Sequence, residues 1–329
     1  MFFYICIIVT DVHSNGVAPL LKLNDGRSIP ALGLGTWLGF AKAGGRVKPK
    51  GDEVEMAVKW AIDAGYRHID TAYIYDTEAQ VGKALKEKLA EGVVKREDIF
   101  ITTKLWNNKH AKEDVLPALR ESLRILNLDY VDLYLIHWPI PLYPNGSISN
   151  VDYLDTWQGM IEAKAQGLAK SIGVSNFNQQ QLDRLVSLSS VKPAVLQVEI
   201  NLNLQQPALL DYCRSQDIKV TGYTPFGSLF HNKAEPDAPP PRIDDQSLLK
   251  IADKYNKTVP QIALRYLVEL GVIPIPKSVT KSRVEQNLQV FDFSLTQAEK
   301  DLLRGFDRHY RTIAAKFWKD SPYYPFESS

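Results

Sequence analysis

The sequence has few of the residues that build metal centres and disulfide frameworks. Its 329 residues include two cysteines, Cys6 and Cys213, and six histidines, and no histidine pair has the helical spacing of metal ligands. The formal net charge of +1 gives no electrostatic reason to expect binding to nucleic acid or to an anionic membrane surface. These observations argue against a disulfide-rich protein, a metal site and a nucleic-acid-binding protein.

The N-terminus carries an apolar run from Phe2 to Val9, which is too short to span a bilayer. The run is typical of a signal peptide, because residues 12–14 include small side chains where cleavage would occur. No basic residue precedes it, so a plain N-terminal extension is the alternative. We expect residues 1–16 to be a signal peptide or extension. A signal peptide implies secretion, and an extension implies a cytoplasmic protein.

From residue 17 to 329 the chain alternates short apolar runs with helical periodicity, and it needs only one domain. Continuous apolar runs are typical of parallel strands that are buried on both faces. Eight strand–helix units predict a (β/α)8 TIM barrel, with an N-terminal β-hairpin at Asp25-Gly26 and extra helices. The predicted strands are 31–35, 67–69, 99–103, 131–136, 169–174, 194–198, 218–222 and 272–276. Three helix starts are predicted from capping residues: boxes of Thr77 with Gln80 and of Thr296 with Glu299, and an Asn178 cap with Gln181 behind it.

Polar and aromatic residues recur at or just after the ends of these strands. The active site of a TIM barrel lies at the carboxyl ends of its strands, so these side chains should meet at one mouth. They are Trp37, Asp70, Lys104, His137, Ser175, Asn176, Gln197, Tyr223, Lys277 and Ser278.

The stretch from Gly65 to Tyr75 supplies a carboxylate, Asp70, and a phenol five residues later. One interpretation is structural: Asp70 caps the next helix and Tyr75 packs against it. The other is catalytic: Asp70 holds Lys104 as an ion pair, and the ammonium lowers the pKa of Tyr75. Tyr75 would then protonate a carbonyl oxygen that His137 orients.

Other chemistries have less support. Gly-x-Ser-x-Gly is absent, and Asp70 is the only carboxylate identified among the strand ends, which weakens a glycosidase hypothesis. A Schiff base on Lys104, as in an aldolase, stays open. Trp37, Trp106 and Trp138 would form an aromatic pocket wall, or would simply pack in the core.

Carbonyl reduction needs a hydride donor, yet no Gly-x-Gly-x-x-Gly follows a strand in a Rossmann context. The barrel mouth offers other groups. Ser175, Asn176 and Gln197 suit a carboxamide, and Tyr223 suits stacking on a nicotinamide ring. Lys277, Ser278 and Arg283 suit a phosphate near a helix N-terminus, although Lys277 as an ordinary solvated charge is the alternative.

Five segments in order resemble the aldo-keto reductase family, and the similarity covers nearly the whole chain. They are Gly33-Leu-Gly-Thr-Trp37, Gly65-Tyr-Arg-His-Ile-Asp-Thr-Ala72, Leu135-Ile-His-Trp-Pro139, Gly173-Val-Ser-Asn-Phe177 and Ile275-Pro-Lys-Ser278. The narrower resemblance is to the aldose/aldehyde reductase branch and, within it, to insect members that reduce 3-dehydroecdysone.

The resemblance implies a monomeric (β/α)8 barrel that reduces small aldehydes and ketones with NADPH. It implies four catalytic residues, with Tyr75 as the proton donor: Asp70, Tyr75, Lys104 and His137. It implies cofactor contacts at Thr36, Trp37, Asp70, Ser175, Asn176, Gln197, Tyr223, Ser228, Lys277, Ser278, Arg283 and Asn287. It implies a substrate pocket formed by Trp37, Tyr75, Trp106, His137 and Trp138.

The chain departs from the family pattern at three places. The loop after Trp37 is longer than in aldose-reductase-like members, and the loop after Trp138 is shorter. Both loops border the substrate pocket, so the shape of the pocket cannot be transferred from the family. Gln286 stands where many members have a glutamate. A non-catalytic binding or structural protein on the same scaffold is the alternative function.

Overall fold

A computed structural model describes residues 17–41 and 45–326, and its centre is a sheet of eight parallel strands. Each strand pairs in parallel with the next strand in chain order. The strands are β3 (Leu34–Gly35), β4 (His68–Asp70), β5 (Phe100–Leu105), β6 (Val131–Ile136), β7 (Ala169–Ser175), β8 (Val195–Glu199), β9 (Lys219–Tyr223) and β10 (Val272–Pro274).

The sheet closes on itself between its first and last strands. The backbone N–H of Gly33 donates to the carbonyl of Pro274 at 3.1 Å, and Gly35 donates to Pro276 at 3.0 Å. A Cβ on Gly35 would lie 2.7 Å from the carbonyl oxygen of Ile275, so the close approach of the two chains requires glycine there. The predicted (β/α)8 barrel is confirmed.

Helices surround the barrel and bury their apolar faces against the outer side of the strands. They are α1 (Glu53–Ala64), α2 (Glu78–Ala90), α3 (Lys112–Leu126), α4 (Tyr153–Ala165), α5 (Gln179–Leu188), α6 (Pro207–Ser215), α7 (Gln246–Tyr255), α8 (Val259–Glu269), α9 (Lys281–Leu288) and α10 (Gln297–Arg304). Short 3-10 turns lie at Tyr73–Tyr75, Arg96–Asp98, Asn107–Lys109 and Lys316–Trp318.

The predicted N-terminal hairpin is present as antiparallel strands β1 (Leu20–Lys22) and β2 (Ser28–Pro30). Leu23 and Ile29 pack on residues at the starts of the barrel strands, among them Phe100 and Val195. The hairpin therefore covers the amino-terminal end of the barrel and leaves the other end for a site.

Two capping boxes predicted from sequence are confirmed, at Asn178 with Gln181 and at Thr296 with Glu299. The box predicted at Thr77 with Gln80 is wrong. The Thr77 hydroxyl instead contacts the hydroxyl of Thr36, at 3.1 Å, and Gln80 accepts from backbone N–H groups at the start of α1. Tertiary partners replaced the local cap, because both side chains face neighbouring elements rather than their own helix.

No helix in the described part of the chain has the length and apolar character that crossing a bilayer requires. The predicted signal peptide, residues 1–16, lies outside the described residues.

Candidate active site

Asp70 and Lys104 form a buried ion pair at the carboxyl ends of neighbouring strands. Asp70 is the last residue of β4, and Lys104 lies inside β5 rather than after it, because this strand continues to Leu105. The Lys104 ammonium donates to Oδ1 of Asp70 at 2.6 Å and to the carbonyl of Thr71 at 2.8 Å. Gln197, inside β8, donates to Oδ2 of Asp70 at 2.8 Å. Both oxygens of the carboxylate therefore have partners.

Tyr75 joins this pair from the 3-10 turn that follows β4. Its N–H bonds to the carbonyl of Ala72, which turns the phenol back over the strand ends. The phenol oxygen lies 3.4 Å from Nε2 of His137, and the Lys104 ammonium lies 4.9 Å from the centre of the phenol ring. The structural interpretation of the stretch is wrong, since Asp70 binds Lys104 instead of capping a helix.

The pKa of Tyr75 is raised well above 10.0, first by burial and then by the negative charge of Asp70. The expectation that Lys104 lowers this pKa is therefore wrong. The Lys104 ammonium is paired with Asp70 at 2.6 Å, and the cost of burying a phenolate is the larger effect on the phenol. Tyr75 is consequently a phenol, carrying its proton, throughout the neutral pH range.

Burial also determines the protonation state of His137. Burial, then the charges of Lys104 and Arg46, lower the pKa of His137 well below 6.5. The imidazole is therefore neutral, with one N–H to donate. Its Nδ1 is buried and has no partner among the described residues. A neutral imidazole and a protonated phenol thus share one small region of the mouth.

Two tryptophans line this region. Trp37 stacks on Tyr75, with ring centres 6.3 Å apart, and Trp106 meets His137 edge-on at 5.3 Å. Trp138 instead packs against the C-terminal tail, 5.4 Å from Trp318. Of the three predicted wall residues, only Trp37 and Trp106 contact the acid–base groups.

Sequence reasoning missed a second carboxylate at the mouth. Glu199 is the last residue of β8, is fully buried, and accepts the backbone N–H groups of Thr312 and Ile313 at 2.9 and 2.8 Å. The statement that Asp70 stands alone among the strand ends is therefore wrong. Glu199 lies two residues after Gln197, on the same face of the strand, which is the signal that could have found it.

The three residues predicted to bind a carboxamide lie together at the end of β7 and inside β8, beside Tyr223 at the end of β9. Ser175 is paired in register with Gln197, and the Asn176 N–H donates to the Gln197 carbonyl at 2.9 Å. The Asn176 amide also donates to the His137 carbonyl at 3.0 Å and accepts the Tyr223 hydroxyl at 2.7 Å. Asn176 has a left-handed backbone, with φ at 62°, which asparagine tolerates better than most residues.

The predicted phosphate residues cluster separately, between β10 and α9. Ser278 accepts the N–H of Thr280 at 3.1 Å, which shapes the turn into the helix, and Arg283 is exposed on its first turn. Lys277 is exposed, and desolvation by the surrounding chain, followed by the charge of Lys233, lowers its pKa. Asn287 is buried on the same helix. Cations beside a helix N-terminus suit an anion.

Two other predicted cofactor residues have structural partners. Thr36 donates to the carbonyl of Asp70 at 3.0 Å and so ties β3 to β4. Ser228, in the loop after β9, is buried and donates to the side chain of Asn203 at 2.7 Å. This structure does not bring Ser228 to the acid–base groups.

The geometry narrows the possible chemistry. A Schiff base requires a neutral amine that a substrate can reach. Burial lowers the pKa of Lys104, which favours the neutral amine, but the residue is only 1% exposed and its amine already donates to Asp70 and to the Thr71 carbonyl. Within the described ranges, no three His, Cys, Asp or Glu side chains are grouped as metal ligands would be. A protonated phenol, a neutral imidazole and aromatic walls suit proton donation to a carbonyl oxygen.

Residues 31–308 match the Aldo/keto reductase family. Aldo-keto reductase AKR2E4 of Bombyx mori is 52% identical over 94% of this chain and 98% of its own length. Aldo-keto reductase family 1 member A1 of Xenopus tropicalis is 44% identical over 88% of this chain and 89% of its own length.

Solved structures give the same result. The crystal structure of Bombyx mori AKR2E4 in complex with NADP superposes with a TM-score of 0.90 at 51% identity, covering 94% of this chain and 99% of that one. The crystal structure of aldo-keto reductase AKR2E5 complexed with NADPH gives a TM-score of 0.92 at 46% identity, covering 95% and 94%. The chain belongs to the aldo/keto reductase family and is an oxidoreductase.

Proposed function

We propose that this protein reduces aldehydes or ketones to alcohols with NADPH as its cofactor, and that Tyr75 donates the proton. The observation that carries the proposal is the 3.4 Å separation of the Tyr75 oxygen from Nε2 of His137. It puts two hydrogen-bond donors where one carbonyl oxygen can meet both. The relatives with bound NADP and NADPH support the choice of cofactor.

The hydrogen-bonding side chains at the barrel mouth fit a nicotinamide cofactor. A carboxamide both donates and accepts hydrogen bonds, as do Ser175, Asn176 and Gln197, which are all buried. Tyr223 offers an aromatic face beside them. The cations Lys277 and Arg283, near the N-terminus of α9, suit the phosphate that distinguishes NADPH from NADH. When bound, NADPH supplies the hydride.

The protein residues then handle the proton and the oxygen. Tyr75 donates its proton to the carbonyl oxygen as negative charge develops there. The raised pKa of Tyr75 does not prevent this transfer, because an alkoxide is a far stronger base than a phenolate. The N–H of neutral His137 hydrogen-bonds the same oxygen and orients it. Lys104, held by Asp70, lies 4.9 Å from the centre of the phenol ring and fixes the ring against the strand ends during the transfer.

The test compares Tyr75→Phe with Tyr73→Phe. Tyr73 lies in the same 3-10 turn but is exposed, so its substitution removes the same hydroxyl without touching the mouth. We expect Tyr75→Phe to lower kcat by about 100-fold or more, the usual contribution of general acid catalysis. Tyr73→Phe should retain wild-type turnover. The panel is a small aromatic aldehyde, an aldose, an alkenal and a 3-ketosteroid.

The affinity for NADPH, measured from the quenching of tryptophan fluorescence, should be the same in both variants. Normal turnover by Tyr75→Phe would contradict the mechanism. Tight NADPH binding by the wild-type protein without turnover of any panel member would favour a non-catalytic role on the same scaffold.

The secretory signal in residues 1–16 and the monomeric state both stay predictions. Mass spectrometry of the protein from a eukaryotic host would test the first, and sedimentation would test the second.

A further inference from the structure

After Trp37, residues 39–41 and residues 45–47 pair with each other as the two sides of a turn near the barrel mouth. Phe40 and Arg46 pair as an antiparallel bridge. The N–H of Ala41 donates to Gly45, and that of Val47 donates to Gly39, both at 2.9 Å. These bonds fix the backbone on both sides of Arg46.

The turn is also attached to the segment that carries Tyr75. On one side, the Phe40 ring meets Trp37 edge-on at 5.1 Å, and Trp37 in turn stacks on Tyr75. On the other side, the Lys48 ammonium lies 3.3 Å from the carboxylate of Asp76, the residue that follows Tyr75. Arg46 lies between these two attachments, so its position follows that of the proton donor.

Arg46 is exposed and has no carboxylate partner among residues 17–41 and 45–326. It is near enough to His137 for its positive charge to disfavour protonation of the imidazole. Lys104 also acts on His137, but Asp70 neutralises that ammonium directly. The charge of Arg46 is therefore available to a ligand at the mouth.

We infer that Arg46 is a specificity-determining residue, which favours carbonyl substrates that carry a carboxylate or another anionic group. The inference rests on the proposed function and names a substrate class for the same site. A substrate whose carbonyl oxygen meets Tyr75 and His137 would extend outward past Trp37, toward the turn that holds Arg46. A guanidinium binds carboxylates with a planar pair of N–H donors.

The anionic phosphates of the cofactor are the rival partner for Arg46. Arg46 pairs with Phe40, whose ring packs on Trp37, and the Arg46 charge acts on His137, so both observations place Arg46 on the side of the mouth where the carbonyl would bind. The carboxamide-binding group of Ser175, Asn176 and Gln197 lies on β7 and β8 instead. The placement of Arg46 thus favours substrate over cofactor.

The experiment compares 4-carboxybenzaldehyde with 4-formylbenzamide, which has nearly the same shape but no charge. We expect the ratio of their kcat/KM values to fall about three- to fivefold in Arg46→Gln, a typical loss for one exposed charge pair. Arg46→Lys should restore most of the ratio. Lys50→Gln removes an equal charge from the same exposed loop and should leave the ratio unchanged.

The wild-type preference for the carboxylate should also weaken as salt concentration rises. An unchanged ratio in Arg46→Gln, or an equal loss for both aldehydes, would overturn the inference. Weaker NADPH binding in Arg46→Gln would assign the residue to the cofactor instead.

A binding measurement separates this inference from the proposed function. Terephthalate and its diamide can be titrated into the NADPH-loaded protein and followed by tryptophan fluorescence, without turnover. Selective binding of the carboxylate, lost in Arg46→Gln, would support the inference even if no panel aldehyde were reduced. Equal binding of both compounds by the wild-type protein would overturn it.

Discussion

The ammonium of Lys104 lies 2.6 Å from Oδ1 of Asp70, and each residue is at most 2% exposed. A buried pair of this kind contributes little net stability when intact, because both charges have lost their hydration. Removing one partner is costly, since the other charge is then left unpaired in the interior. The pair therefore constrains the barrel interior beneath the phenol as well as the chemistry.

A double-mutant cycle tests this coupling. We expect Asp70→Asn to lower the free energy of unfolding by about 3–5 kcal/mol, because it leaves a buried ammonium without a counter-ion. The combined Asp70→Asn/Lys104→Met variant should recover much of this loss while staying inactive. Urea denaturation measures the free energy of unfolding of each variant. Arg124→Gln, which breaks an exposed pair with Glu121, is the control and should change nothing measurable. If the losses measured for Asp70→Asn alone and for Lys104→Met alone add up to the loss in the double variant, the two residues are not coupled.

The depressed pKa of His137 predicts the acid side of the pH–rate profile. Reduction requires a neutral imidazole, and a pKa well below 6.5 keeps His137 neutral as the pH falls through that value. Tyr75 stays protonated up to and beyond pH 10.0. We therefore expect kcat/KM to be flat through pH 6.5, measured with an uncharged aldehyde. An inflection near 6.5 that disappears in His137→Gln would show that His137 titrates like a solvated histidine.

The hydrogen bonds that Glu199 accepts from Thr312 and Ile313 should hold the C-terminal tail in place. We expect Glu199→Ala to leave the N–H groups of Thr312 and Ile313 without acceptors, at a cost of about 1–3 kcal/mol. The tail should then be cleaved faster by chymotrypsin at Phe317, which is already exposed. Glu199→Gln keeps one acceptor oxygen and should behave closer to wild type. Equal cleavage rates in all three proteins would mean that other contacts hold the tail.

Much of the fold could be predicted from the sequence, because its signals are local. Apolar runs gave the eight strands, and β6 (Val131–Ile136) has the predicted bounds. The Asn178 and Thr296 capping boxes form as expected, since their partners are three residues away. The Thr77 box failed because contacts with distant segments took its place. In each case the range of the interaction decided whether the prediction held.

The properties of the candidate site also divide into those that the sequence could predict and those that depend on distant contacts. The strand-end positions of Asp70, Lys104 and His137 follow from the barrel and were predictable in kind. The direction in which the pKa of Tyr75 is shifted could not be predicted, because it depends on how completely the phenol is buried and on how closely Asp70 is paired with Lys104. The role of Glu199 was also hidden, since its partner Thr312 is 113 residues away.

The sequence alone determined the order of the elements, the closure-permitting glycine at Gly35 and the residue types at the strand ends. Only the tertiary structure decided the protonation states, the seating of the tail on Glu199 and the position of Arg46 beside the mouth. The physical reason is that periodicity and turn chemistry act within a few residues. Burial and electrostatic fields, in contrast, are sums over segments that meet only when the barrel is closed.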